Sequence, residues 1–205
     1  MMLIGRKGEM CQLYDEQGVV QPSTEIQIDK NVVIALRTKS RHGYEAVQLG
    51  FGRPSKGRLT KPYAGHFKKA GQEPKHVLRE VRVEQSGEYQ VGQQLGVEIF
   101  APGEKVRVTG TTRGRGFAGG VRRWGWHGGP RTHGSMTHRR IGSIGSGTSP
   151  GRVHRGRTLP GHYGVERVTI RNVKVVKIVP DKGLLYVRGA VPGHRGSIVT
   201  VMKGY

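Results

Sequence analysis

The sequence predicts a mainly β protein with a small α+β insertion and a long irregular extension that is rich in glycine and arginine. Three observations support this class. Short runs of β-branched and aromatic residues recur between turn residues. One short basic run has the pattern of a helix, and residues 110–164 follow neither pattern. A chain of 205 residues is long enough for one or two domains with a hydrophobic core.

The N-terminal half contains strand-like runs that are interrupted by a stretch of different character. Residues 31–37, 44–51 and 98–100 are short, strand-like and separated by turn residues, which is typical of a barrel or a sandwich. Within the interruption, Lys61-Pro62 followed by residues 66–71 predicts a short basic helix that ends at Gly71. Residues 77–83 alternate as a strand does, so this stretch is predicted to be a small α+β insertion.

The C-terminal region gives the clearest β pattern. From Glu166 onward, β-branched residues alternate with basic ones as far as Val179. The sequence Pro180-Asp181-Lys182-Gly183 then predicts a turn, because proline presets φ and glycine accepts the left-handed conformation. Further strands are predicted over residues 184–188 and 197–202.

These patterns predict five consecutive regions. They are the first part of the β-barrel (1–51), the α+β insertion (52–97), barrel strands (98–109), an extended loop (110–165) and the C-terminal part of the barrel (166–205). Residues 105–109 form a strand that leads directly into the loop, so the loop is expected to be an excursion from one domain.

Residues 110–164, the glycine–arginine segment, contain ten arginines, sixteen glycines, no lysine and no acid. The acid-free stretch extends from Lys105 to Val165. Only eleven of the segment's 55 residues are apolar or aromatic, which is too few to offset the entropy of ordering the backbone. The arginines also repel one another. We therefore expect a partner outside the chain to supply negative charge and order the segment.

The charge of the whole chain points to the same class of partner. Lys and Arg number 35 against 14 acids, for a formal net charge of +21. This balance predicts a polyanion, with nucleic acid the first candidate and an anionic membrane surface the second. A surface-bound amphipathic helix is disfavoured by the many glycines. The single cysteine, Cys11, excludes an internal disulfide and fits a reducing, cytoplasmic compartment.

Patterns for catalysis and metal binding are weak. Gly114-Arg115-Gly116-Phe117-Ala118-Gly119 matches a dinucleotide-binding fingerprint, but no acid follows before Glu166 to hold a ribose. The glycines after it were expected to prevent a regular helix. The histidines of the segment match no metal-ligand spacing. We predict no enzyme activity, no catalytic residue, no metal site and no cofactor.

The prediction of a binding site depends mainly on the arginines. Arginine engages phosphate bidentately and stacks on bases, and unpaired RNA bases also stack on aromatic rings. The predicted RNA-binding residues are Arg113, Arg115, Arg122, Arg123, Trp124, Trp126, His127, Arg131, His133, His138, Arg139, Arg140, Arg152, His154, Arg155, Arg157 and His162.

Several ordered motifs resemble the ribosomal protein L3 family in its bacterial form. They include Gly116-Phe117-Ala118-Gly119, Gly128-Gly129-Pro130 and Pro150-Gly151-Arg152-Val153 in the segment. Outside it, Gly65-His66-Phe67-Lys68-Lys69-Ala70-Gly71 and Gly189-Ala190-Val191-Pro192-Gly193 also match. The resemblance spans nearly the whole chain.

The resemblance implies a six-stranded translation-protein β-barrel with an inserted α+β part and one long extension. It implies a structural constituent of the large ribosomal subunit that is cytoplasmic, in the ribosome. Such a protein binds large-subunit (23S) ribosomal RNA directly near its 3' end and nucleates subunit assembly. The extension would run toward the peptidyl transferase centre, and two neighbouring large-subunit proteins, the fourteenth and nineteenth, would be partners. The tip of the extension matches Ser146, Gly147, Thr148, Ser149 and Pro150.

Overall fold

A computed structural model describes residues 1–54 and 59–204 of the chain. It divides the chain into two compact units. The barrel unit comprises Met1–Thr111 and Arg167–Tyr205, and the loop unit comprises Thr112–Glu166. Residues in strands greatly outnumber residues in helices within the described ranges, so the prediction of a mainly β protein is confirmed.

The elements of the described residues are as follows. The strands are β1 (Met2–Tyr14), β2 (Val20–Gln27), β3 (Asn31–Arg37), β4 (Ala46–Phe51), β5 (Val77–Arg82), β6 (Gln94–Leu95), β7 (Lys105–Thr111), β8 (Phe117–Ala118), β9 (Gly161–His162), β10 (Arg167–Val179), β11 (Leu184–Arg188) and β12 (Ile198–Lys203). The helices are α1 (Lys39–His42), α2 (Lys61–Lys69) and α3 (Gly120–Trp124). Short 3-10 turns occupy Ser86–Glu88, Val97–Ile99 and Pro180–Lys182.

Six strands of the barrel unit close on themselves in the order β1, β12, β7, β10, β11 and β2. Every neighbouring pair is antiparallel, and pairing of β2 with β1 completes the ring. Alternate side chains point inward, as the period of a strand requires. In β7, for example, Val106 and Val108 are fully buried, while Arg107 between them and Thr109 after them are partly exposed. The inward rows of all six strands form the main hydrophobic core.

A second sheet has the strand order β5, β4, β3 and β6. Its strand β3 packs on two cores at once. Val33 belongs to the core that the barrel strands share, whereas Val32 and Ile34 pack on Phe67 of helix α2. Asn31 joins the second sheet to β1, because its buried amide accepts from Ile4 N at 2.9 Å and donates to Ile4 O at 3.0 Å.

This arrangement corrects the predicted region boundaries. Strands β3 and β4, which were assigned to the first part of the barrel (1–51), belong to the second sheet. Strand β4 and the first four residues of β3 are buried on both faces, and a short run of this kind does not reveal which sheet it joins. The prediction of a strand at residues 98–100 is also wrong, since Val97–Ile99 is a 3-10 turn.

Other predicted elements are confirmed with shifted ends. The basic helix is α2, which begins at Lys61, with a proline in its first turn, and ends at Lys69, two residues before Gly71. The strands predicted at residues 77–83 and 105–109 are β5 and β7. The predicted turn after β10 is present, and Gly183 follows it with φ of 62°. Strands β1 and β2 were not predicted individually.

Candidate nucleic-acid interface

The loop unit has a hydrogen-bonded root and a long part without regular structure. At the root, Thr112 N donates to Glu166 O at 2.9 Å, and Val165 N donates to Thr112 O at 3.1 Å. Strands β8 and β9 then pair as a two-stranded ribbon. Helix α3 follows β8, which corrects the expectation that glycines would prevent a regular helix here. No helix or strand is assigned between α3 and β9.

Two arginines of the root stack on aromatic rings. The guanidinium of Arg115 lies 5.0 Å from the centre of the Tyr163 ring. That of Arg123 lies 4.9 Å from the centre of the Trp124 ring. Arg123 Nη1 and Trp124 Nε1 both donate to Leu159 O at 2.9 Å. These contacts hold the two chain segments of the root together, and Arg123 is the one arginine of the unit that is not fully exposed.

Trp126 has a packing role. Its ring lies directly on the backbone of Gly120, so closely that a Cβ at Gly120 would overlap with the ring. The Trp126 Nε1 group points to Thr158 Oγ1 at 3.4 Å. Trp124, by contrast, is 49% exposed and keeps much of its ring available for a partner.

The remaining predicted arginines and histidines lie on the surface. Nine of the ten arginines and all five histidines of the loop unit are exposed. Glu166 is the unit's only acid, and the ion pairs found among the described residues all lie outside this unit. The cations are therefore not neutralised within the described part of the chain. Their positive potential is available to an anionic partner.

Some side chains of the loop unit are only locally fixed by backbone oxygens. Arg157 Nη2 donates to Ser143 O at 2.6 Å, and the His138 Nδ1 atom lies 2.9 Å from Pro130 O. Such contacts set the course of the backbone and leave the rest of each side chain accessible. Residues 146–150, the predicted tip, are all exposed and form bends.

Exposed apolar side chains are the feature that sequence reasoning missed. Phe117 is 81% exposed and Met136 is 90% exposed, amid the cations of the same unit. The sequence could show only that apolar residues were scattered there, since exposure depends on the fold. A partner that offers negative charge together with flat apolar faces would satisfy both kinds of side chain, and unpaired RNA does so.

The described residues give no sign of the alternative chemistries. They hold no group of three or more His, Cys, Asp and Glu side chains positioned for a metal ion. The fingerprint at Gly114 to Gly119 precedes a helix of only five residues. It contains β8, which pairs with β9 in a short antiparallel ribbon, and this is not a dinucleotide-binding βαβ unit. None of the described helices is both long and apolar enough to span a membrane.

A basic β protein that exposes an acid-free, arginine-rich loop has the features of a nucleic-acid-binding protein. Comparison with known proteins identifies the family. The family model described as Ribosomal protein L3 matches residues 81–184. The large ribosomal subunit protein uL3 of Pelotomaculum thermopropionicum is 50% identical over 201 residues, covering 98% of this chain and 95% of that protein.

Two further relatives show the same relationship. The large ribosomal subunit protein uL3 of Carboxydothermus hydrogenoformans is 48% identical over 201 residues, or 98% of this chain and 96% of that protein. That of Thermotoga maritima is 50% identical over 200 residues, or 98% and 95%. The chain belongs to the ribosomal protein L3 family. This membership confirms the resemblance found in the motifs and the prediction that the chain is not an enzyme.

Proposed function

We propose that this chain is a structural constituent of the large ribosomal subunit, in the cytoplasm, and that it binds the large-subunit ribosomal RNA directly near its 3' end. The observation that carries this proposal is the set of nine exposed arginines in a unit with a single acid. Relatives about half identical over nearly the full chain are large ribosomal subunit proteins, which supports the same assignment.

Each class of exposed side chain has a role in this proposal. Arginines such as Arg139 and Arg140 neutralise phosphates, because the planar guanidinium can donate two parallel hydrogen bonds to phosphate oxygens. Trp124 and the exposed histidines stack on bases or donate hydrogen bonds to them. Arg123 and Trp126 instead hold the root in shape, since both already pack within the unit. They stabilise the conformation of the interface and are not its main RNA-contacting groups.

Binding and folding are coupled in this proposal. Only Ala118, Gly120 and Gly164 of the loop unit are buried, so little apolar burial opposes the entropy of an extended chain. RNA that folds around the loop supplies the missing stabilisation, because its contacts offset the entropic cost of ordering the loop during binding. The barrel unit can dock first because it has a core of its own. A protein that organises RNA in this way nucleates subunit assembly.

The finer placement follows the family resemblance. The loop would extend toward the peptidyl transferase centre, with Ser146, Gly147, Thr148, Ser149 and Pro150 at its tip. Small side chains at the tip would let the backbone approach a crowded RNA surface closely. The six-stranded barrel would be of the translation-protein type, and the fourteenth and nineteenth large-subunit proteins would be its neighbours.

Limited proteolysis tests the central claim. Trypsin cuts after arginine, and the loop unit presents nine exposed arginines. We expect rapid cleavage between residues 112 and 166 in the free protein and protection when large-subunit RNA is bound. Arginines outside the loop unit, such as Arg188, serve as internal controls for trypsin activity. Equal rates of cleavage in the loop with and without RNA would contradict the proposal.

A further inference from the structure

A cleft in the barrel unit combines apolar and cationic side chains that have no part in the role proposed for the glycine–arginine segment. It lies beside β3 and the two helices α1 and α2, and its volume is about 610 Å³. Leu36, Ala70 and Val91 give it an apolar floor above the buried Ile34, and Arg41 and Lys69 supply cations. The size falls in the range of roughly 300–1,000 Å³ that is typical of small-ligand pockets.

The cleft is positively charged and contains no acid among its lining residues. One of its cations, Arg37, is already paired, because its Nε atom lies 3.1 Å from Glu80 Oε1. Arg41 and Lys69 differ from it. Both are exposed, and no ion pair or side-chain hydrogen bond joins either of them to another described residue. They come from α1 and α2, so only the fold brings them to one cleft.

A hydrogen-bonded network fixes the polar side of the cleft. His66 Nε2 lies 2.7 Å from Gln48 Oε1, and Gln48 Nε2 donates to Glu80 Oε1 at 3.2 Å. The His42 ring lies 3.2 Å from Arg37 Nη1. Both imidazoles are thus held by partners within the second sheet. Their preset orientation lowers the entropy that a ligand must overcome on binding.

We propose that this cleft binds one unpaired nucleotide of RNA. The base lies on the apolar floor formed by Leu36 and Ala70, and its phosphate lies between Arg41 and Lys69. Charge complementarity selects an anion, and the apolar floor selects an anion that carries a flat apolar group. An unstacked nucleotide has both parts, whereas a duplex presents mainly phosphates and cannot place a base in a cleft. All of the lining residues belong to the barrel unit, and the proposal rests on the proposed function in taking RNA as the ligand.

Cross-linking of the full chain to large-subunit RNA tests the position of the site. Ultraviolet light joins stacked bases to nearby side chains without a linker, and mass spectrometry then identifies the peptides that carry a nucleotide. We expect nucleotide-bearing peptides from residues 34–42 or 66–70, besides those from residues 112–166. Cross-links confined to residues 112–166 would overturn the cleft proposal alone. The absence of cross-links from residues 112–166 would instead contradict the proposed function.

Matched charge reversals distinguish a specific RNA-binding site in the cleft from non-specific electrostatic attraction of RNA to a basic surface. The pair Arg41→Glu and Lys69→Glu should weaken RNA binding by about tenfold or more and lower the salt slope by about one, for the one phosphate contact that is lost. The control pair Lys177→Glu and Arg188→Glu makes the same change in net charge at exposed residues of β10 and β11. We expect the control pair to cost less than about threefold. Equal losses from both pairs would overturn the proposal.

A neutral change tests the contact with the base. Val91 is 47% exposed at the edge of the cleft, so Val91→Trp can fill the cleft without altering charge or the core. We expect loss of the cross-links from residues 34–42 and 66–70, with an unchanged melting temperature and an unchanged salt slope. Retained cross-links would overturn the assignment of the base to this floor. Cross-links from the cleft to an acidic segment of a neighbouring protein in intact subunits would likewise overturn it.

Discussion

The barrel unit and the loop unit reach defined conformations by opposite means. The barrel unit buries rows of aliphatic side chains, and residues such as Leu3, Val108 and Leu185 are fully inaccessible. The loop unit buries only one side chain, that of Ala118, with the backbones of two glycines. Its root is held by backbone hydrogen bonds and by arginines stacked on rings. The barrel unit carries its own stabilisation, whereas the loop unit depends on a partner.

This contrast implies that substitutions in the two units should affect different measurements. Removing buried apolar volume from the barrel unit should lower the free energy of unfolding. Removing exposed groups from the loop unit should change RNA binding and leave unfolding nearly unaltered. The following predictions test this separation, from the largest expected effect to the smallest.

Leu185→Ala should give the largest loss of stability. Leu185 is fully buried in β11, and its deletion leaves a cavity that typically costs about 3 kcal/mol. Phe117→Ala removes a larger side chain that is 81% exposed, so it should change stability by less than about 0.5 kcal/mol. Urea unfolding of both variants measures the two changes in the free energy of unfolding. Similar losses from the two would show that the loop unit contributes a core of its own.

Replacing both Arg139 and Arg140 by Ala should weaken RNA binding by about tenfold, or 1.4 kcal/mol, at low salt. Both are exposed, so urea unfolding should not change. The slope of affinity against salt should fall by about one for each lost phosphate contact. Titrations at several salt concentrations provide the measurement. An unchanged slope would argue against phosphate contacts by these two residues.

Gly120→Ala should disturb the loop unit locally. The added Cβ would overlap with the Trp126 ring and force it off the backbone. We expect altered tryptophan fluorescence and RNA binding weakened by several-fold, about 1 kcal/mol. Gly119→Ala is the matched control, since no described atom lies within 4 Å of a Cβ built there. If the two variants behaved alike, packing of Trp126 on Gly120 would not shape the interface.

Glu80→Gln should give the smallest effect, and only a pH-dependent one. Burial raises the pKa of Glu80, but hydrogen bonds from Tyr44 and Arg37 and the Arg37 charge outweigh it, so the pKa is lowered from 4.5. A lowered pKa stabilises the fold above about pH 4.5, and this contribution is lost as pH falls through the folded-state pKa.

The Glu80 side chain is 32% exposed, so its contribution should stay below about 1 kcal/mol. Urea unfolding between pH 3 and pH 6 should therefore be less pH-dependent in Glu80→Gln than in the unchanged chain. Glu9→Gln, which alters a largely exposed surface pair, is the control. An identical pH dependence in the Glu80 variant would show that the network around Glu80 does not contribute.

Local patterns allowed several elements to be predicted from the sequence. The short strand-like run over residues 31–37 predicts β3 to the residue, and the proline and glycine at the ends of residues 180–183 predict the turn before β11. These signals depend on near neighbours in the chain. Strands β1 and β2 escaped prediction because much of their length is polar, and β2 even contains Pro22. Their strand state depends on pairing with distant strands.

The candidate sites also divide into features that the sequence could reveal and features that depend on the fold. The loop unit could be recognised because its arginines and its lack of acids are consecutive in the chain. The sequence did not distinguish Trp126, which packs on Gly120, from the more exposed Trp124. It also gave no sign of the cleft, since Arg41 and Lys69 are brought together by packing of α1 and α2 beside β3.

The sequence by itself determined where the charge lies, where a core cannot form and which family the motifs resemble. These properties are sums over neighbouring residues, so they can be read along the chain. Only the tertiary structure decided that β1 and β2 pair to close the barrel, that β3 and β4 belong to a second sheet, and which cations remain without a partner. Strand pairing and burial depend on residues far apart in sequence, and their free energies exist only when the chain is folded.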